Sequence, residues 1–344
     1  MKSLLVMRPA RLNDVKTIIQ LAKQSSIGLT SLPHDPNSIK VKVAKSVAAF
    51  KARISQPTNE LYFFVLEDQQ RKSIVGTAAV DAAVGFDAPF YSYRVATMTR
   101  ICRPLNIHRL YGHLNLVNDY QGKTELCTLF LLPQYRADGN GVLLSLGRFL
   151  FMAQHPKRFT ETVFAEMRGV TGRNGRSPFW DSLGEHFFAM SFAEADHLSA
   201  VTNKQFIADL MPRSTIYTTL LPKQAQAVIG KVHHESKSAY GLLQQQGFEY
   251  NNSVDIFDAG PTLECKFKHI KAIANSELVS VSKIAAVTSD PIRCLVATTG
   301  SFRATQADVS FDGNEITLDP FTANLLKIKR GAELRILRLK NSRI

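Results

Sequence analysis

The 344-residue chain is short of several things, beginning with one tryptophan and four cysteines. Cys102, Cys127, Cys265 and Cys294 are scattered, and no two share a C-x-x-C spacing. That excludes a zinc ribbon and a disulfide framework and fits a reducing compartment. Long apolar runs are missing too, so nothing reaches the ~20 residues that a membrane-spanning helix needs. The apolar stretch Leu4-Leu5-Val6-Met7 meets Arg8-Pro9 too early for a secretory signal, and a cytoplasmic protein without a membrane partner is expected. No G-x-S-x-G elbow occurs, which argues against an α/β-hydrolase. Acidic residues are also scarce: 29 Asp and Glu against 42 Lys and Arg leave a formal charge of +13. The densest basic stretches, Lys40 to Lys51 and Lys327 to Lys340, lack the interleaved aromatics of a base-stacking surface, so no nucleic-acid partner is expected. A positive surface steers anionic substrates, and it is also what an ordinary solvated surface looks like. Hydrophobic content of 45% and charged content of 21% describe a globular chain long enough for two domains or one enlarged one.

What is present centres on one stretch. The apolar run Glu125-Leu126-Cys127-Thr128-Leu129-Phe130-Leu131-Leu132 reads as a strand. It feeds the basic, glycine-bearing turn Arg136-Ala137-Asp138-Gly139-Asn140-Gly141, and a helix pattern follows from Val142 to Ala153. Such a turn aims backbone N–H groups and a helix N-terminus at one point, which suits a pyrophosphate. A dinucleotide fingerprint needs a third glycine where Leu144 stands. A P-loop needs Lys and Ser/Thr where Val142 and Leu143 stand. The remaining pattern, R-x-x-G-x-G after a strand, resembles the coenzyme A pyrophosphate arm of the GNAT acyltransferases. The plain alternative is a strand–helix connection whose glycines serve only the turn.

The order of elements agrees with that resemblance. Leu4 to Arg8 reads as a strand, and Asn13-Asp14 cap a helix with Val15, Ile18, Ile19 and Ala22 on one face. A second helix is expected from Ser38 to Ile54. Strands follow at Leu61–Glu67 and Ser73–Val80, joined by the polar turn Asp68 to Lys72. A less regular segment with Tyr91, Tyr93 and Arg94 precedes the strand–turn–helix. Val163 to Met167 is another strand, and Ser177-Pro178 starts a helix. The expected fold is α/β, a GNAT-like mixed sheet flanked by helices. Beyond residue 200, helices are expected at Lys223–Ile229 and Ser236–Gln246, strands from Phe248 to Lys268, and a β-rich C-terminus. The similar endings Ser182-Leu183-Gly184 and Gln245-Gln246-Gly247 hint at a partial repeat. The division expected is a GNAT-like acyl-CoA-binding domain over 1–200 and a second α+β part over 201–344.

An N-acyl transfer must free an amine of its proton, stabilise an oxyanion and release a thiolate. A histidine suits the proton steps. His233 and His234 stand just before a helix, whose N-terminus disfavours the charged imidazolium; a capping role for a loop histidine is the equal alternative. Adjacent histidines do not share a helix face as a zinc pair does, and Glu235 does not complete H-E-x-x-H, so no metal is expected. Cys127 in mid-strand reads as a buried core thiol. The loop carrying Gly172, Arg173, Gly175 and Arg176 reads as an exposed connection.

At this point longer blocks carry a more specific resemblance. They are Gly28-Leu29-Thr30-Ser31-Leu32-Pro33, Tyr93-Arg94-Val95, the strand from Glu125 to Leu131 with Gly139-Asn140-Gly141, and Ala165-Glu166-Met167-Arg168-Gly169-Val170 with Ser177-Pro178-Phe179-Trp180. Further along are Leu210-Met211-Pro212, Ile216-Tyr217 and the block Asp255 to Cys265. The chain resembles the arginine N-succinyltransferase family over residues 1 to about 275. The resemblance implies succinyl transfer from succinyl-CoA, a co-substrate and not a permanently bound cofactor, to the α-amine of L-arginine. The family's catalytic histidine, in a Gly-x-Val-His context, falls on Gly230-Lys231-Val232-His233. Its succinyl-CoA contact falls on Leu129, through backbone, and Arg136, Gly139 and Gly141 would hold the phosphates. The second histidine, His234, departs from the pattern. The guanidinium wants a carboxylate from among Glu125, Glu166, Asp255, Asp258 and Glu264, and the succinyl carboxylate wants Arg94 or Arg168. A preference for ornithine or another amine, a non-catalytic basic module, and a homo-oligomer stay open at this level.

Overall fold

The computed structural model describes residues 4–25, 28–172, 175–202, 205–288 and 290–339, so Arg173 lies outside the described residues. In chain order the elements begin β1 (Leu5–Pro9), α1 (Val15–Ala22), α2 (Pro36–Lys51), β2 (Leu61–Asp68) and β3 (Ser73–Asp81). A long hairpin follows, β4 (Ser92–Cys102) and β5 (Ile107–Val117), then β6 (Thr124–Leu131), α3 (Asn140–Gln154) and β7 (Thr162–Glu166). Short helices α4 (Pro178–Ser182), α5 (Gly184–Phe188), α6 (Phe192–Val201) and α7 (Gln205–Leu210) lead to β8 (Ile216–Tyr217) and α8 (Lys223–Val228). Next come α9 (Lys237–Gln245), β9 (Glu249–Val254), β10 (Pro261–Lys266) and α10 (Lys271–Ala274). The chain ends with β11 (Glu277–Ile284), β12 (Ile292–Thr298), β13 (Ala304–Asp312), β14 (Glu315–Leu318), α11 (Pro320–Leu326) and β15 (Glu333–Arg338).

The central sheet runs β1-β2-β3-β6-β7-β10-β9-β4-β5-β8. Its neighbours are antiparallel except β6 and β7, which are parallel. This is the expected GNAT-like mixed sheet, with α9, β9 and β10 completing it from beyond residue 200. The segment read as less regular proves to be the hairpin β4–β5, paired from Ser92↔Val117 to Cys102↔Ile107. Its outer half is exposed on both faces, so no alternation of apolar and polar residues marks it in the sequence. The strands β12-β15-β11-β14-β13 close on themselves through β12–β13 and enclose their own core of Val279, Val281, Val296, Val309, Ile316 and Ile336. This closed β unit joins the main sheet through Met7↔Ala304. The glycines of the two similar helix endings have different places: Gly184 opens α5, whereas Gly247 leads from α9 into β9.

Helix α2 starts at Asp35, whose carboxylate takes the Ser38 N–H at 2.6 Å, with Pro36 in the first turn. Helix α3 buries nearly its whole length, Leu143 to Met152, against the sheet. It packs so closely that a Cβ on Gly147 would stand 2.4 Å from Met7 Sδ. The α3 position relative to β6 is therefore fixed by core packing, and with it the turn between them. No helix among the described residues is long and apolar enough to cross a membrane.

Candidate active site

The site begins where the central sheet opens. Strands β6 and β7 pair only through Thr124↔Val163 and Glu125↔Phe164, and then part. The register of β3 against β6 shifts just beyond, between Thr77 and Ala79, and Thr128 takes φ +58°. A left-handed threonine costs roughly 1–2 kcal/mol, so something must hold it. Thr128 N–H donates to Ser31 Oγ (2.9 Å), and its carbonyl accepts Thr77 Oγ1 (3.0 Å). Past this bulge, Leu132 N–H bonds Val75 on β3, so alternation turns the N–H and C=O of Leu129 and Leu131 toward the opening. The Leu131 carbonyl is taken there by Arg136 Nε at 2.9 Å. Leu129 is half-buried, and its backbone faces the gap between the strands.

At the end of β6 the turn enters α3. Gly139 is the N-cap residue in left-handed conformation, φ +74°, which suits glycine. A Cβ on Gly141 would meet nothing within 4 Å, so the first turn of α3 opens onto free space. The closed β unit braces this turn from behind, with Gln306 Nε2 donating to the Asp138 carbonyl at 3.3 Å. Arg136, Gly139 and Gly141 are thus brought together at an accessible helix N-terminus, where an anion is favoured.

Across the gap, the chain after β7 is joined by the segment before α9. Gly169 bridges Val232, and His233 N–H donates to the Arg168 carbonyl at 2.8 Å. His233 is only 5% exposed, while His234 is exposed with its ring 4.2 Å from that of His233. Burial, the Arg168 guanidinium and His234 depress the His233 imidazole from its ordinary 6.5 to about 4, and Glu235 opposes this in part. His233 Nδ1 accepts the Glu235 N–H at 3.3 Å. The neutral ring then carries its proton on Nε2 and offers a donor.

This arrangement predicts an acid-side loss of stability that belongs to His233. Its folded pKa lies below its unfolded one, so the unfolded chain binds the extra proton. Stability is complete above pH 6.5 and falls between there and about 4, by roughly 3 kcal/mol from this group. Melting curves of wild type and His233→Gln from pH 7.5 to 4.5 should converge as pH falls. Parallel curves would exclude the effect.

Next to His233 through Arg168, though without His233 in its lining, is a half-enclosed cavity of about 80 Å³. Its lining includes Glu125, Glu166, Arg168, Asp196, Asp255 and Asp258. Four of the five carboxylates singled out from sequence thus converge, together with Arg168. Glu264 lies off this lining on β10, and Arg94 is held elsewhere by Asp119 and the Asn251 carbonyl. Arg168 is anchored by Glu235 (3.1 Å) and Thr171 Oγ1 (3.0 Å). Asp258 is buried and accepts the N–H groups of Gly169 (2.6 Å) and Gly260 (2.8 Å); burial and nearby Asp255 push its carboxyl upward. Sequence reasoning missed Asp196, which holds Thr30 Oγ1 at 2.6 Å and so ties α6 to the loop after α1. Only its two-residue distance from Glu194 in an ordinary surface-helix pattern was visible, and that carries no signal. One trio among the described residues, Asp81, Glu125 and Cys127, brings ligand-type atoms within 4.8 Å. Burial raises the Cys127 thiol, which keeps it protonated and a poor ligand. A larger groove of about 590 Å³ lies between α1, β3 and Leu132–Tyr135, with Arg71 as its charged group and no lining carboxylate or histidine among the described residues.

A mixed sheet that splits between two parallel strands, with an open helix N-terminus at the end of the first, is the fold of a GNAT-like acyltransferase. Within that class the chain belongs to the arginine N-succinyltransferase family. A family model described as arginine N-succinyltransferase beta subunit matches residues 5–272, and one for its C-terminal domain matches 277–338. Arginine N-succinyltransferases of Citrobacter koseri and an Enterobacter species are 41% and 42% identical over 338 residues, 98% of both chains in each case. The solved arginine/ornithine succinyltransferase subunit AI of Pseudomonas aeruginosa superposes with a TM-score of 0.90 at 35% identity, covering 98% of this chain and 99% of that one.

Proposed function

We propose that this protein transfers the succinyl group of succinyl-CoA to the α-amine of L-arginine, giving N2-succinyl-L-arginine and CoA, the opening step of arginine degradation by succinylation. The observation that carries this reading is a buried neutral histidine, in a chain related end to end to arginine N-succinyltransferases, beside a carboxylate-lined cavity at the sheet opening.

In this reading Leu129 presents its backbone to the thioester, and Arg136 with the N-terminal amides at Gly139 and Gly141 takes the pyrophosphate. The amine nitrogen attacks the thioester carbonyl carbon, the C–N bond forms, and the C–S bond breaks. The acceptor reacts as the free amine, its proton passing to solvent through the carboxylate-lined mouth. Negative charge grows first on the carbonyl oxygen and then on the departing sulfur. His233 Nε2–H is assigned as the donor that meets it, and the proton that the attacking nitrogen sheds as the amide forms ends on the released thiolate. The Glu235 backbone N–H, donated to Nδ1 at 3.3 Å, steadies the ring in its orientation.

The test is thiol release from succinyl-CoA and acetyl-CoA, each with arginine, ornithine or no amine. Fastest release is expected with succinyl-CoA and arginine, and none without an amine. Ornithine is the second acceptor to weigh, because the Pseudomonas relative is named for both amino acids. No release with any amine would refute the reading.

A further inference from the structure

We infer that the acidic cavity beside His233 seats the acceptor's side chain, with Glu125 and Glu166 as the carboxylate pair that clamps its guanidinium. The assignment rests on the succinyl-transfer reading above. The two glutamates come from neighbouring strands, Glu125 at the last paired position and Glu166 two residues past it, where the strands part. Glu125 stands opposite Phe164, and Glu166 follows Phe164 by two residues, so all three share one face of the sheet. Strands fix side chains more firmly than loops do, which suits a specificity determinant.

An independent observation lies on the same face. Thr262 of β10 is directly opposite Glu166, fully buried, and its Oγ1 has no hydrogen-bond partner. Burying a hydroxyl unsatisfied is unfavourable. It sits next to the glutamate that lines the cavity but behind the lining itself, so a donor reaching past Glu166 is what would complete it.

The rest of the lining sorts the acceptor end to end. Asp258 is engaged by the Gly169 and Gly260 amides, and Asp255 accepts the Phe257 and Asp258 amides at 2.7 and 2.9 Å, so both build the wall. Arg168 is at the His233 end, its carbonyl holding the His233 N–H. Arg168, paired with Glu235, keeps a guanidinium in the lining while Glu125 and Glu166 bring carboxylates, and together these match an amino acid with a carboxylate head and a cationic tail. The α-carboxylate then faces Arg168, the α-amine faces His233, and the side chain reaches Glu125 and Glu166. A planar guanidinium offers five N–H groups in a fixed fork, enough for both glutamates and Thr262 at once. A compact ammonium, as on ornithine, cannot span two carboxylates in the same way.

The experiment compares arginine with citrulline, its uncharged isostere, as acceptors for the full-length enzyme. Glu125→Gln and Glu166→Gln should each raise KM for arginine on the order of tenfold to a hundredfold, with KM for succinyl-CoA unchanged. Both should also narrow the arginine-to-citrulline ratio of kcat/KM. Glu161→Gln, an exposed acid on the approach to β7, should behave as wild type. Should one glutamine variant fail to fold by circular dichroism, the other carries the test. Active variants that keep the wild-type arginine KM and ratio would overturn the clamp alone. A wild-type enzyme inactive with arginine would overturn the succinyl-transfer reading and the clamp with it.

Discussion

Alanine at position 233 is expected to lower kcat on the order of a hundredfold or more while leaving KM for succinyl-CoA within a factor of two or three. The expectation follows from where the ring sits. His233 is held from its main chain by Arg168, is nearly fully buried, and stays neutral through the pH range in which an amine acylation runs. Its donor is therefore in place before the reaction and meets charge that exists only as the thioester collapses, which is why kcat and not substrate binding should suffer. In the proposed binding mode the coenzyme is held by β6 and α3 and not by His233. His233→Gln, whose amide reaches the Nε2 position but has no titrating ring, separates two roles. Partial recovery over alanine fits the donor assigned above, whereas activity as low as alanine's means the ring must exchange a proton. The His233 ring does not titrate near neutrality, so the wild-type profile between pH 6 and 8 should rise with deprotonation of the amine and show no inflection near 6.5. A turnover number unchanged in the alanine variant would sink the assignment.

How much of this could be read from the chain differs by element, for physical reasons. The strand, turn and helix from Thr124 to Gln154 were legible because each signal is local: an apolar run, glycines at the turn, then helical periodicity. The bulge at Thr128 was not. Threonine gives no hint of positive φ, and the strain is carried by Ser31 and Thr77, which are far away in sequence. The parting of β6 from β7 was hidden likewise, since pairing that stops after two residues leaves no mark on either strand. Histidines 233 and 234 were visible as a pair. What distinguishes them, burial of the first and exposure of the second, comes from Val232 docking on Gly169 and cannot be seen in Lys231-Val232-His233-His234. The acids were named but not ranked for the same reason. Glu125, Glu166, Asp255 and Asp258 meet from β6, β7 and the β9–β10 connection, whereas Glu264, one strand register away, does not line the cavity. The β-rich C-terminus was legible as strands, but its closure through β12 and β13 depends on long-range pairing.

The back wall of that cavity should be the most fragile place in the molecule. Gly260→Ala is expected to destabilise the protein by about 3 kcal/mol or more and to abolish transfer in whatever fraction folds. A Cβ there would stand 1.9 Å from the Met167 carbonyl oxygen, 2.6 Å from Gly169 N and 2.9 Å from Asp258 Oδ1. Two of these are backbone atoms, so no rotamer change can relieve the contact. Relief requires β7 and the connection before β10 to separate. That motion breaks the Gly169–Asp258 and Gly260–Asp258 hydrogen bonds and leaves a buried carboxylate without its donors. It also displaces Arg168 and, through the Arg168 carbonyl, His233. The control is Gly241 in the middle of α9, where an added Cβ meets nothing within 4 Å. Gly241→Ala removes a helix-interior glycine and should stabilise by roughly 0.5–1 kcal/mol. Denaturant titrations of the two alanine variants beside wild type should move the midpoint in opposite directions. If Gly260→Ala melts with wild type and turns over normally, β7 and the β9–β10 connection are not packed as closely as the geometry requires, and the cavity they enclose loses its rigid wall.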